Sequence, residues 1–156
     1  MAKSKPKLVE QTPGYCGPAS LVSLLDFYGI EKNEEELARL CGTMREEGTY
    51  HVAMVNVLTG LGFNVVAKEG GTWEELKRLM AEGVPVLVGW FSDDPLPAGD
   101  HFSLVYRVDD ERLWMMDPEE GKYREIKKEK FLKNWYDFDT SQNKLVKGWY
   151  LYVSLV

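Results

Sequence analysis

Apolar residues recur at helical spacing through the first half of the chain and alternate or run together through the second. Leu21, Leu24, Leu25 and Tyr28 fall at i, i+3, i+4 and i+7, which gives a helix one buried face, and Gly29 supplies its stop. Asn33 caps an acidic first turn, Glu34 to Glu36, ahead of Leu37, Leu40 and Cys41 on one face, and Gly42 ends this second helix. Thr49 begins a third helix with Met54, Val57, Leu58 and Leu61 as its buried stripe. After a short strand from Phe63 to Ala67, Gly70-Gly71 breaks the chain. Thr72 and Glu75 then form a capping box for a helix running to Glu82, with Trp73, Leu76, Leu79 and Met80 on its apolar side.

From Val84 to Trp90 the residues are mostly apolar, the pattern of a buried strand. Ser92 to Asp100 is a loop rich in proline and acid that leads into His101 and lines a cleft or serves as a solvated connector. Two strand-like runs, His101–Val108 and Arg112–Asp117, are joined by the acidic turn Asp109 to Glu111, so the start of the first lies near the end of the second. Pro118 to Gly121 turns the chain into a strand at Tyr123–Ile126. A short helix follows from Lys128 to Trp135, with Phe131, Leu132 and Trp135 inward. The polar stretch from Asp137 to Asn143 reads as a surface loop. In the last ten residues Trp149, Leu151, Val153 and Leu155 alternate against Tyr150 and Tyr152 as in a strand. The class is α+β, an N-terminal helical lobe packed on a C-terminal antiparallel sheet.

At 156 residues and 44% hydrophobic, the chain is expected to form one domain with enough length to bury a core. A net charge of −6 and the lack of a Lys/Arg cluster exclude nucleic acid as the expected partner. Lys3, Lys5 and Lys7 belong to an N-terminal arm, residues 1–7, expected to fray. No apolar run approaches the ~20 residues of a membrane span. Pro6 and Glu10-Gln11 interrupt any signal-peptide core. Two cysteines make no disulfide framework, so the expected setting is cytoplasmic and reducing.

The chemistry concentrates around Gln11-Thr-Pro-Gly-Tyr-Cys16-Gly-Pro-Ala-Ser20. A thiol at the mouth of a helix feels the positive end of the macrodipole, which favours the nucleophilic thiolate; the plainer reading is a small buried residue at a helix start. His101 and Asp117 fall at one end of the predicted hairpin, where a carboxylate orients an imidazole. The order Cys, His, Asp is the papain-like one. Cys41 reads as core. His51, a lone imidazole in the first turn of its helix, reads as structural or exposed. With no CxxC and no HExxH, neither a metal nor another cofactor is expected.

These residues resemble the bacteriocin-processing cysteine peptidases, papain-like domains that remove double-glycine leader peptides, and their free-standing relatives. The resemblance is carried by Gln11, Cys16-Gly17-Pro18-Ala19, Tyr28-Gly29, Gly48-Thr49, Leu61-Gly62-Phe63, Val84-Pro85-Val86, His101-Phe102, and Asp117-Pro118 with Gly121, in the family's order. Gln11 stands five residues before the cysteine where six is common, and Tyr15 stands where an acidic residue often precedes it. The resemblance implies a papain-like fold with Cys16 as nucleophile, His101 as base, Asp117 as orienting carboxylate and Gln11 as oxyanion donor. It implies a peptide or protein substrate, cut through an acyl-enzyme thioester after glycine-rich leader sequences. A peptide-binding module of the same fold that does not cut, or a transglutaminase-like acyl transfer with the same triad, are the alternatives.

Overall fold

The structure, a computed structural model, describes residues 5–155. Helices α1 (Cys16–Phe27), α2 (Glu34–Cys41) and α3 (His51–Gly60) come first, followed by strand β1 (Asn64–Lys68) and helix α4 (Trp73–Ala81). Strands β2 (Val86–Ser92), β3 (Gly99–Val108), β4 (Arg112–Asp117) and β5 (Lys122–Lys127) form a meander. Helix α5 (Lys128–Asn134) and strands β6 (Tyr136–Asp139), β7 (Lys144–Lys147) and β8 (Tyr150–Ser154) complete the chain. Six strands make an antiparallel sheet in the order β1-β8-β2-β3-β4-β5, while β6 and β7 pair separately. The α+β class expected from the sequence is the architecture observed.

Strand side chains alternate between two cores, one on each face of the sheet. Leu87, Leu104, Met116, Leu151 and Val153 pack against α1, α2 and α3. Val86, Val88, Val105, Met115 and Tyr150 pack with Trp73 and Leu76 of α4 and Phe131 of α5. Both faces are therefore covered, which is why β2 is a near-continuous apolar run. It is also why Tyr150, on the face opposite Leu151, is buried and donates to the Glu75 carboxylate at 2.6 Å. Each of these fully buried aliphatic side chains contributes roughly 1.5–3 kcal/mol.

The expected caps are present. Asn33 accepts from the Glu36 N–H at 2.7 Å, and Thr72 with Glu75 closes a capping box on α4. Some details differ from expectation. Leu40 is 52% exposed, because the buried stripe of α2 runs through Leu37, Ala38 and Cys41. Leu132 and Leu155 are also exposed, the latter beyond the end of β8. Of the expected frayed arm, residues 1–4 lie outside the described residues. Residues 5–7 are docked: Tyr123 donates to the Pro6 carbonyl at 2.8 Å and Ser23 to the Lys7 carbonyl at 2.7 Å.

The largest departure is the polar stretch from Asp137 to Asn143. It is the end of β6 and a turn into β7, and Asp137 and Asp139 are buried. Asp139 accepts from the Ser141 and Gln142 side chains, at 2.7 and 2.9 Å, and so builds the turn from inside. Thr140 to Asn143 form the exposed turn expected, whereas the polarity of Asp137 and Asp139 is spent on contacts within the protein.

Candidate active site

The loop before α1 is held from both sides. Thr12 donates its N–H and hydroxyl to the Glu34 carboxylate at 2.8 and 2.6 Å. Gly14, at φ 84°, lies so close to the Arg45 backbone that a Cβ would sit 2.6 Å from its carbonyl oxygen. The Gln11 N–H donates to the Pro118 carbonyl at 3.0 Å, tying this loop to the chain just past Asp117. Two hydrogen bonds to one residue of β3 fix the start of helix α1. The Phe102 N–H donates to Cys16 Sγ at 3.5 Å, and its carbonyl accepts from Ser20 at 3.3 Å. The thiol is thereby placed beside the residue that follows His101.

His101 is buried, edge-on to the Trp90 ring at 5.0 Å. Its Nε2 lies 3.3 Å from Asp117 Oδ1, and its Nδ1 is in close contact with Glu119 Oε2. These are charge contacts and not aligned hydrogen bonds. Asp117 is fully buried and is held on its other oxygen by Arg124 at 2.8 Å. Burial alone would raise the Asp117 carboxyl, but His101 and Arg124 outweigh it and hold it below its ordinary range. Burial alone would likewise lower His101, but Asp117 and Glu119 outweigh it and carry the ring up to about 9.

Cys16 departs from the expectation that the helix N-terminus favours thiolate. Burial pushes its thiol up to about 12, aided by Glu119 and Asp117 and opposed by the N–H groups of Phe102 and Gly17. A helix terminus supplies about 0.3–1 kcal/mol at ordinary sites, less than the cost of desolvating a thiolate. Cys41, expected as core, is buried in the α1–α3 core, and its thiol is raised to about 11.

Gln11, Cys16, His101 and Glu119 line one cleft of about 380 Å³. The Oε1 atom of Gln11 is buried with no hydrogen-bond partner among the described residues. Of the four residues singled out from sequence, Gln11, Cys16 and His101 thus meet in the cleft, and Asp117 stands behind His101. Of the acids in the loop before His101, Asp100 lines the cleft and accepts from the Phe138 N–H at 3.0 Å, whereas Asp93 pairs with Lys130. Burial raises the Asp100 carboxyl.

Two features of the cleft are not apparent in the sequence reading. One is Glu119, which reads as an ordinary turn residue after Asp117-Pro118. The other is His51, which also lines the cleft, buried and 2.6 Å from Asp137, with Asp139 at 3.6 Å from its other nitrogen. The signal available was an Asp-Phe-Asp alternation at 137–139, the period of a strand with both acids on one face.

Comparisons with known proteins bear on the fold and the family. The peptidase domain of the bifunctional transporter ComA of Streptococcus superposes with a TM-score of 0.75 at 24% identity, covering 96% of this chain and 98% of that one. A double-glycine-motif protease of an AMS/PCAT transporter, in complex with a leader peptide, gives 0.75 at 21% identity, covering 99% and 94%. At these identities the likeness establishes the papain-like fold of such domains. The lactococcin-G-processing and transport ATP-binding protein LagD of Lactococcus lactis subsp. lactis is 29% identical over 130 residues, which is 82% of this chain but 17% of that protein. The model of the Peptidase_C39 like family matches residues 4–143, a span that takes in the cysteine loop, both histidines and the chain past Asp117, and on that match the chain belongs to this family.

Proposed function

We propose that the protein is a cysteine peptidase in which Cys16 attacks the scissile carbonyl, His101 carries the proton and Asp117 orients and charge-stabilises the ring. The carrying observation is the contact of Cys16 Sγ with the Phe102 N–H, which brings a helix-terminal thiol to the strand position next to a His–Asp pair. The attack forms a C–S bond and a tetrahedral oxyanion. Collapse expels the amine, protonated by His101, and leaves a thioester that water hydrolyses to the acid and the free thiol. We assign the oxyanion to the Gln11 amide and the Cys16 N–H, since both residues line the cleft.

The substrate class we infer is a peptide cut after a double glycine. The support is family membership, together with the leader-peptide complex of the AMS/PCAT protease and the bacteriocin processing named for the Lactococcus relative. A library of glycine-containing peptides, incubated with the wild type and with Cys16→Ala and followed by mass spectrometry, tests both levels. Products from the wild type alone establish catalysis, and their ends give the cleavage site. Including a primary amine separates hydrolysis from acyl transfer, because the latter yields an amide adduct.

A second reading is favoured by one observation: both ring nitrogens of His101 face carboxylates in this structure. In that state the site binds peptide without cutting it. Peptide retention by the wild type with no products in the same experiment selects this reading.

A further inference from the structure

Deprotonating Cys16 moves one proton from Sγ to a ring nitrogen of His101, and that nitrogen must offer a lone pair. The structure gives it none to spare. Nε2 faces Asp117 and Nδ1 faces Glu119, so the buried ring sits between two carboxylates, an environment that keeps both nitrogens protonated. The thiol takes its hydrogen bond from the Phe102 backbone instead. Asp117 has an evident reason to be there, being fully buried and locked by Arg124. Glu119 does not. Its side chain is 43% exposed, it lies in the turn between β4 and β5, and it lines the cleft that Cys16 opens into.

We propose that Glu119 is a positioning residue that occupies the free nitrogen of His101 and keeps it from Cys16 until the carboxylate is displaced. This rests on the reading of Cys16 and His101 as nucleophile and base. The main chain is suited to such a part. The Glu119 N–H donates to Asp117 Oδ1 at 3.1 Å, so the backbone is fixed to the triad while the carboxylate stays at the lip of the cleft. Swinging it outward requires side-chain rotation alone. A peptide entering the cleft would displace it, and the ring would then release its second proton to solvent and accept the one from Sγ.

The charged groups around the ring come from several elements. Asp117 on β4 and Arg124 on β5 lie on one side, Asp100 is adjacent on β3, Cys16 approaches from α1, and Glu10 packs against Gly121 in the turn that carries Glu119. Arg124 is committed to Asp117 and to the Asp94 carbonyl, so it does not neutralise Glu119. Glu119 also raises both the His101 ring and the Cys16 thiol. Removing it acts in one direction on each: the ring becomes easier to deprotonate and the thiol easier to ionise.

The test needs no substrate. Full-length wild type, Glu119→Gln and Glu119→Ala are alkylated with iodoacetamide across pH 5 to 10, and the His101 ring is titrated by NMR, its signal assigned with His101→Ala. Glu120→Gln, one residue along, makes the same change in formal charge and serves as control. We expect alkylation of Cys16 at pH 7 to be about tenfold faster in the Glu119 variants, in proportion to a fall of about one unit in the thiol pKa. The His101 midpoint should fall by a similar amount, with Glu120→Gln close to wild type. Equal rates and midpoints in wild type and Glu119→Gln overturn the proposal, as do equal shifts in Glu120→Gln. If those shifts appear but the wild type cuts no peptide, the role of Glu119 at the ring stands and the peptidase reading fails. If peptides are cut and the variants match wild type, the reverse holds.

Discussion

Nε2 of His51 lies 2.6 Å from Oδ2 of Asp137, both side chains buried, in the wall of the cleft that His101 also lines. The pair links the first turn of α3 to β6, 86 residues on. The Asp137 carboxylate in turn rests on Gly89, where a Cβ would lie 2.8 Å from it. His51 is edge-on to the rings of Phe102 and Trp149, at 5.2 and 4.6 Å, so the ring also supports the residue that donates to Cys16.

Removing one partner of a buried hydrogen bond leaves the other polar group unsatisfied. His51→Ala and Asp137→Ala should each cost about 1–3 kcal/mol in urea unfolding, and the double variant well under the sum. Gly89→Ala should cost roughly 1–3 kcal/mol through the clash with Asp137. Additive losses in the double variant would mean the two side chains act independently.

The elements legible in the sequence were those whose pattern had one cause. Thr72 and Glu75 announce a helix start because both donors and acceptors of a capping box are local. Val84 to Trp90 announces a strand covered on both faces because nothing polar interrupts it. Cys16, His101, Asp117 and Gln11 were reached through helix-end chemistry, hairpin geometry and resemblance, and the fold gathers them. The β6–β7 hairpin was not legible, because Asp137 and Asp139 look solvated until the imidazole of His51, far away in sequence, is placed between them. Glu119 was missed for a similar reason: an acid in a turn is ordinary unless a buried ring lies beside it.

The ring of His101 yields a pH dependence with a definite sign. Its folded-state value is raised from 6.5 to about 9, so the stabilisation is complete below the unfolded value and is lost as pH rises through the folded one. Unfolding free energy should fall between about pH 6.5 and pH 9, by an amount on the order of 3 kcal/mol. Above that window the two raised thiols, Cys16 and Cys41, add their own losses, since the unfolded chain ionises them first. Urea titrations at half-unit steps check this. A flat profile for the wild type, or an unchanged slope in His101→Gln, contradicts it.

Asp117→Asn keeps the shape of the side chain and removes the charge that serves both His101 and Arg124. Peptide hydrolysis should drop roughly 10³–10⁴-fold without vanishing, because the nucleophile and oxyanion donors remain. The thermal midpoint should also fall, since Arg124 keeps the Asp94 carbonyl but loses its ionic partner. Activity within tenfold of wild type would remove Asp117 from the triad.

Gln11 is the last residue of the site, and its position is its main credential. Its N–H is fixed to the Pro118 carbonyl, its side chain lines the cleft with Cys16, and its Oε1 has no partner among the described residues. We take the N–H₂ group of this cleft-lining amide as the donor to the developing oxyanion. Gln11→Ala should therefore lower kcat by about 10²–10³-fold, the cost of one lost oxyanion donor. KM should change little, because the interaction strengthens as the carbonyl becomes tetrahedral. Stability should hold, since the anchoring bond is made by the backbone and survives the substitution. Glu10→Ala, measured beside it, controls for a neighbour that packs on Gly121 and does not line the cleft. A near-normal kcat for Gln11→Ala would mean that the five-residue spacing to Cys16 sets the amide outside hydrogen-bond reach and that backbone N–H groups carry the oxyanion alone.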